Sequence, residues 1–223
     1  RLVAAIDAVF PTGLRLREIF ESPSVAALAA RIDSTALTDA LPLAPMPRPE
    51  RVPLSAAQQR MWLLQNLDPA SSAYTIAAAL RIDGPLDTGL MRAALADVSD
   101  RHEILRTVYA VTDGQPHQVV LPTGTAVADL EVDESGPDDP VEVFAVLRTG
   151  FDLAERPPLR IGLRPLGPDS ALLVVAVHHI AADGWSLRVL AADLLAAYAA
   201  RAAGHRPDWD PLPVQYADYT LWQ

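Results

Sequence analysis

Seven consecutive apolar residues, Ala171-Leu172-Leu173-Val174-Val175-Ala176-Val177, constrain this chain more than any other stretch. A run of this length, rich in β-branched and aliphatic side chains, reads as a buried strand. Directly after it stand His178, His179, Ile180, Ala181, Ala182, Asp183, Gly184, Trp185 and Ser186, and an amphipathic helix starts near Ser186. Two imidazoles and a carboxylate therefore fall where a rigid strand gives way to a loop, a common place for chemistry.

Composition narrows the function classes. The chain has 223 residues, half of them hydrophobic, enough for one sizeable domain or a domain plus a small piece. Its net charge is -10, from 28 acidic against 18 basic residues. That balance argues against nucleic acid, which needs a basic face, and against an anionic membrane surface. With no cysteine there is no disulfide framework, thiolate nucleophile or cysteine metal site. No stretch resembles a signal peptide or membrane span, so a soluble cytoplasmic protein is expected.

Three segments follow from the pattern. Residues 1–34 read as helices only: Leu2, Val3, Ile6, Val9 and Phe10 recur at helical spacing, and Pro11-Thr12-Gly13 breaks the run. Residues 16–20 read as a short turn. Ser22 is expected to cap a further helix, with Pro23 at its first position and Val25, Leu28 and Ile32 buried. This piece is too short for an independent core. Residues 35–52, with Pro42, Pro45, Pro47 and Pro49, read as an extended linker.

From residue 53 the pattern changes. Ser55 and Gln58 form a capping box before a helix through Met61, Trp62 and Leu64. Tyr74, Ile76, Ala78, Leu80 and Ile82 mark one face of a strand, and Leu90, Met91, Ala94, Leu95 and Val98 a helix capped from Asp87. A strand from Ile104 to Val111 turns at Asp113-Gly114 and returns over Gln118 to Leu121. Residues 122–140 read as a polar loop or edge, and residues 143–147 as a helix. Residues 160–165 and 171–177 form a hairpin. The helix after Ser186 is expected to face Leu187, Leu190, Leu194, Leu195 and Tyr198 inward. Strands and helices mix without strict alternation, which implies an α+β fold with a mixed sheet and packed helices.

Four stretches resemble one family in order and spacing. Ser55-Ala56-Ala57-Gln58-Gln59-Arg60-Met61-Trp62-Leu63, Arg101-His102-Glu103-Ile104-Leu105-Arg106-Thr107-Val108-Tyr109, the segment from His178 to Ser186, and Tyr216-Ala217-Asp218-Tyr219-Thr220-Leu221-Trp222-Gln223 are similar to motifs of nonribosomal peptide synthetase condensation domains. Phe151-Asp152-Leu153 and Pro158-Leu159-Arg160 fit as well. The resemblance covers residues 53–223, about the first half of such a domain, and implies a chloramphenicol-acetyltransferase-like N-terminal lobe. Leu16-Arg17-Glu18-Ile19-Phe20-Glu21-Ser22-Pro23-Ser24-Val25-Ala26 resembles the end of a peptidyl carrier protein, whose modified serine belongs upstream of Arg1. The chain thus looks like a carrier-to-condensation segment cut at both ends, and no turnover is expected of it alone.

The resemblance implies amide-bond formation. An upstream carrier presents an acyl or peptidyl thioester and a downstream carrier an aminoacyl thioester, both on 4'-phosphopantetheine arms. Neighbouring synthetase domains are the other implied partners; no dissociable cofactor or metal is implied. His179 is the implied active-site residue, either a general base toward the amine or a group that orients it and stabilises the tetrahedral intermediate. His178 is expected to point away, since neighbouring side chains near a strand end face opposite sides. Asp183 is expected to shape the loop by pairing with Arg106 or Arg101. Gly184 permits close backbone approach, and its amide near a helix start favours a developing oxyanion. Trp185 is expected to wall the substrate tunnel beside Ser186, which reads as a helix cap.

His102, His117 and His205 read as structural. Adjacent histidines seldom chelate one ion, and no third ligand is evident. The other readings are an epimerisation domain and a domain of the same fold that recruits a carrier or partner and makes no bond; the latter typically has a degraded histidine motif, whereas His178, His179, Asp183 and Gly184 are intact.

Overall fold

The computed structural model describes residues 2–10, 14–34, 42–124, 129–132 and 149–223. The expected break at residues 11–13, the helix at 143–147 and parts of the linker and of the polar loop lie outside the described residues. The chain divides into two compact units, Arg1–Leu43 and Ala44–Gln223. None of the described helices is long and apolar enough to cross a membrane.

The first unit is helical: α1 (Leu2–Val9), α2 (Leu16–Glu21) and α3 (Val25–Ser34). The expected turn at residues 16–20 is helix α2. Ser24, not Ser22, caps α3, accepting from the Ala27 amide at 3.2 Å, because Pro23 lies before the helix instead of in its first turn. Val25 is 87% exposed, and Leu28 and Ile32 are half-buried. An alanine-rich helix supplies little apolar side chain to build a core around them.

The second unit is organised around one strand. Its elements are β1 (Val52–Pro53), α4 (Ala56–Leu67), β2 (Thr75–Asp83), α5 (Thr88–Arg101), a 3-10 turn (Glu103–Arg106), β3 (Thr107–Thr112), β4 (Gln115–Val120), β5 (Asp129–Val132), β6 (Leu159–Gly167), β7 (Ser170–His178), α6 (Ser186–Ala202) and α7 (Tyr216–Trp222). The larger sheet has the order β2-β7-β6-β5 and the smaller one β1-β4-β3. The β5–β6 pair is parallel and the other pairs are antiparallel, so the expected mixed sheet is present. The 3-10 turn takes the first residues of the expected 104–111 strand, and the Asp113-Gly114 turn has positive φ at both residues, 53° and 75°. That geometry matches the twist of the strands it joins.

β7 lies between β2 and β6, which explains its uninterrupted apolar run. Leu173, Val175 and Val177 face a core with Met91, Leu95 and Val98 of α5 and Leu190, Leu194 and Ala197 of α6. Val174 and Ala176 face the opposite way, into a core with Leu54, Tyr109, Phe151, Leu153 and Ile180. Each fully buried leucine or valine contributes roughly 1.5–3 kcal/mol, so both layers grip the strand. Leu195, expected inward, is 70% exposed, and Ala197 occupies the buried position instead. Leu80 is 46% exposed, whereas Ile76 and Ile82 on the same face of β2 pack against the core.

The first, second and fourth motifs meet in a buried polar network. Gln58 Nε2 donates to the Tyr109 hydroxyl at 3.2 Å and lies 3.4 Å from Gln118 Oε1. Gln118 Nε2 donates to the Pro53 carbonyl at 2.8 Å and to Thr220 Oγ1 at 3.2 Å. Ser55 Oγ and the Tyr216 hydroxyl are 2.9 Å apart. Side chains left unpaired in such a place would carry a full desolvation cost, so the network holds α4, β3, β4 and α7 in one arrangement.

Candidate active site

β7 ends at His178, and the sheet register decides which way each histidine faces. His178 stays on the even-numbered face of the strand, at 0% exposure. Its ring meets Phe151 edge-on at 5.7 Å and Tyr74 at 6.5 Å. His179 is exposed, and its backbone amide donates to the Tyr74 carbonyl at 2.8 Å. The His179 ring takes part in none of the described hydrogen bonds.

Both ring nitrogens of His178 are committed. The Ile180 amide donates to His178 Nδ1 at 3.0 Å. A backbone N–H only donates, so Nδ1 carries the lone pair and Nε2 the proton. Nε2 then donates to Gln65 Oε1 at 3.0 Å. Burial, followed by the neighbouring His179 charge, pushes the His178 pKa down to about 4. The ring is neutral near pH 7 and has no free nitrogen to offer a substrate.

The loop after the histidines is held by its own residues. Asp183 Oδ1 accepts from the Ser186 hydroxyl at 2.7 Å, the Ser186 amide at 2.9 Å and the Trp185 amide at 3.0 Å. Ser186 Oγ in turn accepts from the Asp183 amide at 3.1 Å. This reciprocal arrangement caps α6, and Asp183 is the capping residue where Ser186 was expected. The Ser186 hydroxyl, then these amides, hold the Asp183 carboxyl below its ordinary range.

The expected pairing of Asp183 with Arg106 or Arg101 is absent among the described residues. Arg106 reaches the Leu121 carbonyl and lies 3.6 Å from Glu103. Arg101 bonds Asp193 at 3.1 Å and the Asp210 carbonyl at 2.7 Å, over the ring of Trp209. Asp183 is satisfied locally, so it has no need of a distant cation. The two arginines instead brace the 3-10 turn and α6. His102 joins them, 2.6 Å from Asp193.

Gly184 is exposed, and a Cβ there would meet no described atom within 4 Å. Its amide takes part in none of the described hydrogen bonds, unlike those of Trp185 and Ser186. Trp185, 56% exposed, and Ser186 line an apolar groove of about 220 Å³ with His102, Ile104, Ala182 and Val189.

Sequence reasoning passed over the other side of the site. Gln65, 4% exposed, sits on the same face of α4 as buried Gln58, two turns earlier. Two glutamines at core positions of one helix were a signal that they serve as buried partners. Gly150 gave no such signal: a Cβ there would fall 1.8 Å from the Pro69 carbonyl oxygen. That close approach, with Arg160 stacked 4.2 Å over Phe151 and bonded to the Gly150 carbonyl, presses Phe151 against His178.

Fold, register and motif now converge with relatedness. Residues 49–223 match the condensation domain family, and the chain belongs to it. Over its whole length it is 44% identical to a dimodular nonribosomal peptide synthase of Bacillus subtilis, and over 82% of its length it is 48% identical to an isonitrile lipopeptide synthase of Mycobacterium tuberculosis. It spans only 9% and 7% of those proteins. Among solved structures it resembles the X-domain from teicoplanin biosynthesis at 40% identity and a TM-score of 0.75, covering 81% of this chain and 39% of that one. It also resembles the starter condensation domain of rhizomide synthetase at 26% identity and a TM-score of 0.67, covering 78% and 43%. The α+β condensation-domain fold expected from the motifs is the fold observed.

Proposed function

We propose that the chain forms part of a condensation site that joins two carrier-bound substrates through an amide bond. The observation that carries this reading is the opposite fate of the two histidines: His178 is buried with both nitrogens committed, and His179 presents its ring to solvent. The donor is an acyl or peptidyl thioester on the phosphopantetheine arm of an upstream carrier; the acceptor is an aminoacyl thioester on a downstream carrier. The acceptor nitrogen forms a bond to the donor carbonyl carbon, the carbon–sulfur bond breaks, and the donor thiol leaves. His179 Nε2 or Nδ1 takes the amine proton or orients the amine by accepting a hydrogen bond from it. Holding the reactants together supplies much of the rate, and a general base adds roughly 10²–10⁴-fold. The Gly184 amide, which takes part in none of the described hydrogen bonds, is the proposed donor to the developing oxyanion. Residues 16–26 resemble the end of an upstream carrier, and that resemblance supports an internal elongation step.

A second reading has one specific support. The X-domain that this chain resembles at 40% identity has been solved in complex with OxyB, so a domain of this fold can hold a partner protein. Product formation from loaded carriers separates the two readings. Amide product that disappears in His179→Ala supports condensation. Stable association with a partner and no product across several loaded pairs supports recruitment.

A further inference from the structure

Every proton in the chain of bonds behind His178 is assigned by a group that has no choice. The Ile180 amide only donates, which leaves the proton of His178 on Nε2. The Pro69 carbonyl only accepts, and Gln65 Nε2 donates to it at 3.0 Å, which turns Gln65 Oε1 toward His178. Reversing the Gln65 amide would set its NH₂ against the His178 N–H and its oxygen against the Pro69 oxygen. The order Ile180 N–H to His178, His178 N–H to Gln65, Gln65 N–H to Pro69 is therefore the one arrangement without a clash of like groups.

His179 sits inside this chain of bonds. Its neighbours on both sides, His178 and Ile180, are bonded to each other through the ring, and its own amide is tied to Tyr74. The segment that receives these bonds, residues 65–74, carries none of the four motifs. Gly150 packs against Pro69 and Phe151 against the His178 ring, closing the remaining side.

We infer that Gln65 is a positioning residue: by accepting a hydrogen bond from the Nε2 proton that the Ile180 amide leaves on His178, it fixes the orientation of that ring and thereby sets where the His179 ring is presented. The inference rests on His179 being the reacting histidine. It is tested first on the 223-residue chain with ¹⁵N-labelled histidine rings. The expected spectrum shows His178 protonated on Nε2 alone. Gln65→Met, which keeps the shape but offers no acceptor, is expected to leave the His178 Nε2–H unpaired, shifting its resonance to that of a free N–H, and to shift the His179 resonances. Gln65→Glu keeps an acceptor for His178 and, as the neutral acid that burial favours, a donor for the Pro69 carbonyl, and is expected to retain the Nε2 proton. In the condensation assay Gln65→Met lowers kcat by roughly 10- to 100-fold with KM for both carriers unchanged, and Gln65→Glu restores most of it. A proton on Nδ1 in the parent overturns the inference without any variant. So do an unchanged His179 spectrum and an unchanged kcat in folded Gln65→Met. If the ring spectra change as stated but His179→Ala forms product at the parent rate, the functional reading has failed, not the lock on His178.

Discussion

His178 is held neutral by its surroundings, and that has a pH signature. Its folded pKa is pushed down to about 4, by burial first and then by the His179 charge, against about 6.5 in an unfolded chain. Between those values the unfolded chain binds a proton that the folded ring refuses. The stability this site supports is therefore complete above about pH 6.5 and is lost progressively as pH falls to 4, by about 3 kcal/mol in total. Denaturant unfolding from pH 7 down to pH 4 is expected to show that loss in the parent and a shallower one in His178→Gln. Equal slopes would remove His178 as the cause. Asp183 makes a separate prediction. As the cap of α6 it contributes about 1 kcal/mol, lost in Asp183→Ala and largely kept in Asp183→Asn, since asparagine caps nearly as well. Its depressed carboxyl pKa means that the charge adds an increment to the cap, present above the ordinary carboxylate value and lost as pH falls through the folded one. Thermal melts of the two variants check it; equal loss in both would mean that charge, not capping, holds the loop.

Between elements, backbone contact matters more than motif. The carbonyl of Pro69 leaves no room for a side chain at Gly150, so Gly150→Ala is expected to cost about 1–3 kcal/mol by forcing the 149–151 segment away. Calorimetry would read the cost, and a melting temperature equal to the parent's would contradict the close approach. Gln118→Leu removes the donor to the Pro53 carbonyl and to Thr220 Oγ1 and one of the two acceptors of Gln58 Nε2, at about 1–3 kcal/mol. These elements differ in how far they could be read in advance. The cap at Ser55, the cap at Asp87, the turn at Asp113-Gly114 and the 6–7 hairpin depend on neighbours a few residues away, and each appears where local pattern places it. Leu195 was misplaced because helical spacing marks a stripe but not which edge of it is covered, and Val25 because its alanine-rich helix builds no core around it. The Asp183–Arg106 pair was misplaced because a carboxylate can satisfy itself within its own turn. Gln65 and Gly150 were missed because their partners, His178 and Pro69, lie across the fold or act through backbone.

At the scale of the molecule, a strand gripped by two cores ends in two histidines that its pleat sends to opposite sides. One is absorbed into the protein, and the other is delivered at the surface. The chain carries a net charge of -10, and family membership makes carrier-bound substrates the ones to test. The direct test is dipeptide formation, followed by mass spectrometry, in the complete condensation domain with donor and acceptor carriers loaded, comparing the parent with folded His179→Ala. Product in the parent and its near-complete loss in the variant is the predicted result. Equal product from both would contradict the assignment of His179 and leave positioning as the whole source of rate.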